Sequence, residues 1–241
     1  MQAYSLIADM ALSPSMPKVA SPWSIGLDDK YCRIAAEYET SAGKSVRIPS
    51  VAVYHKNGNS AEPIELFADI AQRFREHSPD IPNMLKDEDS LARAISHALI
   101  EGIFKQRFYE DLGKERYWSG DVASAFEGKR GLILTCDGFE RKLSSYNTEH
   151  VSDMMHSPGI PFKVDPDKVC NRIENDNISI LGLDACVMDC GELENVTSSL
   201  PKGVDVAYFG HSRLPLDLAK EFCTYYGTRI GDRKIMFDLS H

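Results

Sequence analysis

The chain has 241 residues, 43% hydrophobic and 26% charged, with a formal net charge of −9. Such a length and balance suit a globular protein that can bury its own core without staples. The acidic excess excludes broad nucleic-acid binding, which needs clustered Lys and Arg, and no run approaches the roughly 20 apolar residues that span a bilayer, so neither nucleic acid nor membrane is expected as a partner.

In chain order, residues 1–30 are rich in Pro, Ser and Met and read as an irregular N-terminal arm. Their opening, MQAYSLIADMALSPSMPKVA, lacks a basic start and is interrupted by Asp9, Pro14 and Pro17, unlike a signal peptide. A single domain is expected over 31–241. The stretch from Tyr31 predicts one or two strands, with VAVYH (51–55) running into a Lys-Asn-Gly-Asn turn. PIELFADIAQRFREH (63–77) fits a helix that begins near Pro63. A second helix, 91–112, can be capped by Asp89 or Ser90. Its apolar stripe is Leu91, Ile95, Ala98, Leu99 and Ile103, so Glu101 and Glu110 are expected on a solvated face.

GLILTC (131–136) is a short apolar run ending in Asp137-Gly138, the mark of a buried strand. DPDKVCNRIEND (165–176) predicts a short helix before a strand over 178–184. GELENVTSSL (191–200) predicts about three helical turns, VDVAYFG (204–210) a strand, and LPLDLAKEFCTYYG (214–227) a helix closed by Gly227. RKIMFDLSH reads as an edge strand. Strands alternating with helices imply βαβ units and a mainly parallel sheet, and in such sheets sites gather at the carboxyl ends of strands.

The six cysteines, at 32, 136, 170, 186, 190 and 223, form no CxxC pair and no zinc spacing. A reducing, cytoplasmic setting is expected. The sequence has no Walker A, GxGxxG, HExxH or GxSxG motif, so neither cofactor nor metal is expected. The chemistry that stands out is Asp184-Ala185-Cys186-Val187-Met188, set between an apolar strand and a helix. A thiol near a helix N-terminus or an imidazole has a lowered pKa and can act as a nucleophile.

Strand, Asp-Ala-Cys-x-Met, a helix carrying Glu192 or Glu194, then a strand opened by Asp205 resembles the clostripain family of caspase-like cysteine peptidases over about residues 177–215. The resemblance implies a caspase-like three-layer α/β sandwich with a mainly parallel central sheet. It implies Cys186 as nucleophile, an oxyanion hole shared with the Gly138 amide, and cleavage after a basic residue. Asp184 corresponds to the acidic residue of the specificity pocket, and Asp217 could add a second charge. The family's dyad His-Gly falls here on Asp137-Gly138, 49 residues before the Cys, and an aspartate is a weak base whose charge opposes thiolate formation. His211, at the end of the next strand, is the best-placed substitute. His150, His156 and His55 are weaker candidates. Two readings therefore stand side by side: a peptidase acting on a peptide or protein, and a non-catalytic binding or regulatory module of the same fold, with a basic peptide or protein as the expected substrate or partner.

Overall fold

The computed structural model describes residues 2–27, 31–40, 42–53, 72, 80–86, 90–111, 118–119, 122–135, 151–155, 164–189, 192–209, 214–230 and 233–240. The predicted helix over 63–77 falls almost wholly outside them. The chain divides into two compact units, the first built mainly from residues 1–112 and the second mainly from 113–241.

The first unit opens with α1 (Gln2–Ala11) and β1 (Lys18–Leu27), so the segment read as an irregular arm is a helix and a strand. Prolines 14 and 17 punctuate the join between them rather than the whole segment. β2 (Tyr31–Glu39) and β3 (Ser45–Val53) follow, and the three form an antiparallel sheet in the order β1-β2-β3. Gly43, at φ 71°, takes the left-handed conformation in the turn between β2 and β3. Alternate residues of β2 and β3 turn inward: Cys32, Ile34, Ala36 and Tyr38, with Ile48, Ser50 and Ala52, are buried.

Two helices complete the unit, α2 (Ile81–Lys86) and α3 (Ser90–Asp111). The expected stripe of α3 is buried, but so is everything around it: residues 94–104 are buried without exception. Ser96, His97 and Glu101 are at most 1% exposed, although Glu101 was expected on a solvated face. A helix buried all round has no solvated face on which to leave its polar groups, so these must find partners. Glu101 does so by reaching the outward edge of β3. Its Oε2 accepts the Val51 N–H at 3.2 Å, and Lys105, one turn on, pairs with Oε1. Lys105 Nζ also donates to the Pro49 carbonyl at 3.1 Å. Tyr38 fits against α3 only because residue 102 is glycine; a Cβ there would overlap the Tyr38 hydroxyl, which donates to the Leu99 carbonyl at 3.2 Å. Burial, then the Glu101 charge, pushes the Tyr38 phenol well above its ordinary value, against an opposing contribution from Ser50.

The second unit is a seven-stranded sheet in the order β4-β10-β9-β8-β7-β5-β6. Its strands are β4 (Trp118–Ser119), β5 (Gly131–Thr135), β6 (Val151–Met155), β7 (Ile180–Asp184), β8 (Asp205–Phe209), β9 (Tyr225–Ile230) and β10 (Arg233–Asp238). From β6 to β9 neighbouring strands run parallel; β10 and β4 add antiparallel strands beyond β9. In chain order the parallel strands lie 2-1-3-4-5. The crossovers carry α4 (Pro166–Asn175) before β7, α5 (Ala185–Asp189) and α6 (Leu193–Thr197) before β8, and α7 (Leu216–Phe222) before β9.

Both sheet faces are covered, which explains why β5, β7 and β8 read as continuous apolar runs. On one face Phe126, from the 3₁₀ turn Val122–Phe126, packs with Ile133, Ile180, Ala207 and Phe209. A Cβ at Gly182 would lie 2.8 Å from Phe126 and 2.9 Å from Phe209, so the glycine is the seat of this aromatic pair. On the other face Tyr208 stacks on Tyr226 with ring centroids 5.4 Å apart.

The helix predicted over 214–227 stops at Phe222, and Tyr225–Ile230 is a parallel strand beside β8. Tyr225 and Tyr226, both favourable in strands, win there through pairing and stacking. The C-terminal run is a strand, but an internal one, held between β9 and β4. The three turns expected over 191–200 are the single short helix α6.

Candidate functional site

In an open parallel sheet of order 2-1-3-4-5, successive connections leave in opposite directions between strands 1 and 3, and the crevice outside their carboxyl ends is where ligands bind. In this unit those strands are β5 and β7. Their register pairs Gly131 with Ile180 and Leu134 with Leu183, which sets Thr135 beside Asp184. The Thr135 hydroxyl donates to Asp184 Oδ2 at 2.8 Å. Thr135 is fully buried; Asp184 is half-buried at the strand mouth. A polar bridge thus joins the two strands at the point where the chain divides.

Position and sequence explain the pair. Apolar Leu132–Leu134 and Leu181–Leu183 fix both strands in the core, so the first polar residue of each falls at the rim. A threonine deep in the rim must hydrogen-bond, because an unpaired buried hydroxyl costs about 1–3 kcal/mol, and a carboxylate is the strongest acceptor it can meet. The chain passes from Asp184 into α5 without an intervening loop. Ala185, Val187 and Met188 are buried, and Met188 Sδ accepts from the Tyr208 hydroxyl at 3.9 Å. The strand end carrying Asp184 is therefore anchored from behind.

Of the residues singled out in the sequence, Asp184 stands at this site. The backbone of Cys186 lies in α5, two residues beyond it; the Cys186 side chain is outside the described residues, as are Asp137, Gly138 and His211. His55, His150 and His156 are outside them too. Asp217 sits in the first turn of α7, exposed, with its carboxylate 3.7 Å from Lys220. Glu192 is buried and accepts from the Asn195 amide at 3.0 Å, which gives it a local structural task. Asp205 opens β8 as expected, but at the opposite, amino end of the sheet. There Lys129 Nζ lies 2.6 Å from its Oδ2 and 3.2 Å from the Tyr225 hydroxyl. Cys223 is a core thiol that burial pushes up to about 12, against one opposing backbone hydrogen bond at Tyr208. Among the described residues no group of His, Cys, Asp and Glu could hold a metal ion, and no described helix is long and apolar enough to cross a membrane.

The Thr135–Asp184 bond was missed in the sequence, although its register was available. Asp137 and Cys186 are 49 residues apart, and so are Thr135 and Asp184. The same count that aligned two loop residues also aligned the last residues of their strands.

No protein-family model matches the chain, and no curated protein does. Solved structures do. A DUF364 family protein of unknown function from Desulfitobacterium hafniense DCB-2 superimposes with a TM-score of 0.62 at 9% identity, covering 99% of both chains. A second DUF364 protein of unknown function, from Pyrococcus horikoshii, gives 0.58 at 12% identity, covering 94% of this chain and 86% of that one. The likeness is one of fold and spans nearly the whole chain, both units included. No caspase or clostripain structure matches. The expectation of a caspase-like sandwich is corrected accordingly: the mixed α/β fold and its mostly parallel sheet stand, and the caspase-like identity does not. With it fall the cysteine peptidase function and its inactive caspase-fold alternative. The resemblance rested on a short strand-turn-helix word. The strand order 2-1-3-4 that accompanies it here is shared by flavodoxin-like folds, so it did not single out a peptidase.

Proposed function

We propose that the second unit binds a small polar ligand at the carboxyl ends of β5 and β7, with Asp184 accepting hydrogen bonds from the ligand's hydroxyl or ammonium groups. The observation that carries this reading is the Thr135–Asp184 hydrogen bond at the switch point. A carboxylate offers about four acceptor positions. The Thr135 bond uses one of them and helps orient the half-buried group at the rim. A negative group held this way selects donors and cations. Cys170 and Cys223 are in no disulfide, as expected of thiols in a reducing cytoplasm, and this supports a cytoplasmic setting.

The test is a thermal-shift and calorimetric comparison of wild type with Asp184→Asn and Thr135→Val, using L-arginine, putrescine, ribose and adenosine. At least one compound raises the wild-type Tm through binding to the folded state. Its affinity falls at least about tenfold in Asp184→Asn and less in Thr135→Val, since a lost charge-assisted hydrogen bond is worth about 1.5–3 kcal/mol. A panel that shifts wild type and Asp184→Asn alike, or shifts neither, removes the assignment.

A further inference from the structure

Six of the described glycines have a local reason to be glycine. Gly43, Gly128 and Gly203 have positive φ. Gly102, Gly131 and Gly182 are required by side chains that occupy the space of a Cβ. Gly26 belongs to neither group. It lies inside β1 without a positive φ, and nothing stands within 4 Å of where its Cβ would be. Glycine weakens a strand, and its presence often marks a place where something else approaches the backbone closely.

Gly26 forms part of the floor of a cleft of about 420 Å³ on the outer face of the three-stranded sheet. Two cross-strand rows make that floor. In one, Gly26 pairs with Arg33 and Arg33 with Val51; in the other, Ser24 pairs with Ala35 and Ala35 with Pro49. The second row is short throughout, and the first is short on the Gly26 side, so the Arg33 side chain rises beside a shallow, mostly apolar bed. Lys105 also lines the cleft. Two of its three donors are engaged, by Glu101 and the Pro49 carbonyl, and its position is thereby fixed. Small-molecule sites have this make-up: an apolar bed of a few hundred Å³ with one or two polar groups that set orientation.

We propose that this cleft binds a small organic carboxylate, its apolar body on Gly26, Ala35 and Pro49 and its carboxylate held by Arg33 and Lys105. The guanidinium has five donors in a planar fork and can take a carboxylate while keeping another partner. The site lies wholly within the first unit and is independent of the Asp184 site.

Benzoate is the probe, followed by calorimetry and by NMR shifts of the protein, with benzamide as its neutral counterpart. Wild type binds benzoate saturably and at least about tenfold more tightly than benzamide, the scale of one charge-assisted hydrogen bond. Gly26→Leu, whose Cβ meets nothing within 4 Å and whose side chain projects into the cleft, abolishes binding while circular dichroism stays at wild-type values and Tm does not fall. Arg33→Gln weakens benzoate about tenfold and leaves benzamide unchanged. Absence of benzoate binding in wild type, equal affinity for benzamide, or undiminished binding by folded Gly26→Leu or by Arg33→Gln each overturns the proposal.

Discussion

Among the described residues, the first unit has a narrow antiparallel sheet with α3 packed on one face; the second has a seven-stranded sheet covered on both. In the second, the buried strands β5, β7 and β8 are almost purely apolar, and their polar residues wait for the rims: Thr135 and Asp184 at one end, Asp205 with Lys129 at the other. In the first, polar groups enter the interior itself, through Ser96, His97 and Glu101 of α3 and Ser50 of β3. The contrast follows from backbone accounting. A strand inside a sheet has its N–H and C=O groups satisfied by neighbours, so its side chains need bring no polarity inward. β3 is an edge strand, with donors and acceptors turned outward, and a side chain carried by α3 is the nearest available partner.

The difference can be broken most severely at Lys105. Lys105→Met leaves the Glu101 carboxylate buried without its cation, a change that costs about 3 kcal/mol and is read as a drop in the urea midpoint. The double variant Glu101→Gln with Lys105→Met recovers most of the loss; if it does not, the pair is not what holds α3 to β3.

A smaller effect separates the glycines. Gly182→Ala forces Phe126 and Phe209 apart and destabilises by about 2 kcal/mol. Gly26→Ala, which meets nothing, changes stability by about 0.5 kcal/mol in the favourable direction, by restricting the unfolded chain. Thermal melts of the two variants have opposite signs of shift, and a shared sign would refute the distinction drawn between them.

The smallest effect belongs to the pair at the amino end. The Lys129 and Asp205 side chains are 28% and 36% exposed, so solvent screening leaves Lys129→Met a cost of only a few tenths of a kcal/mol. Burial alone would lower the Lys129 pKa, but hydrogen bonds and charge from Asp205 and Tyr225 outweigh it, and the net shift is upward from 10.5. A raised folded pKa means that stabilisation is fully present below the unfolded value and is lost as pH rises through the folded one. Wild type and Lys129→Met therefore converge in Tm above about pH 10.5, and a gap that widens there would contradict the assignment.

The sequence made the second unit legible where local signals coincide with tertiary ones. Asp165 followed by Pro166 announces α4, and Asp165 does accept the Asp167 and Lys168 N–H groups at its N-cap. Apolar runs bounded by turns located β5, β7 and β8. What could not be read was decided by distant pairing. Tyr225 becomes a strand because β8 lies beside it, and Glu101 is buried because β3 needs an acceptor there. The charge pattern of α3 alone cannot reveal either surrounding. The site was half legible: Asp184 was named, its threonine was not, and a short nucleophile-like word drew attention to the neighbouring thiol instead.

The sealing of β3 at Pro49 and Val51 has a consequence for how this molecule behaves in a crowd. Pro49 has no amide hydrogen to offer, its carbonyl is taken by Lys105, and the Val51 amide is taken by Glu101. Another chain seeking to extend the sheet by hydrogen bonding along this border would find that stretch closed. The same ion pair that spares the helix an unpaired charge is thereby a guard against fibre growth, stationed on one border of the molecule.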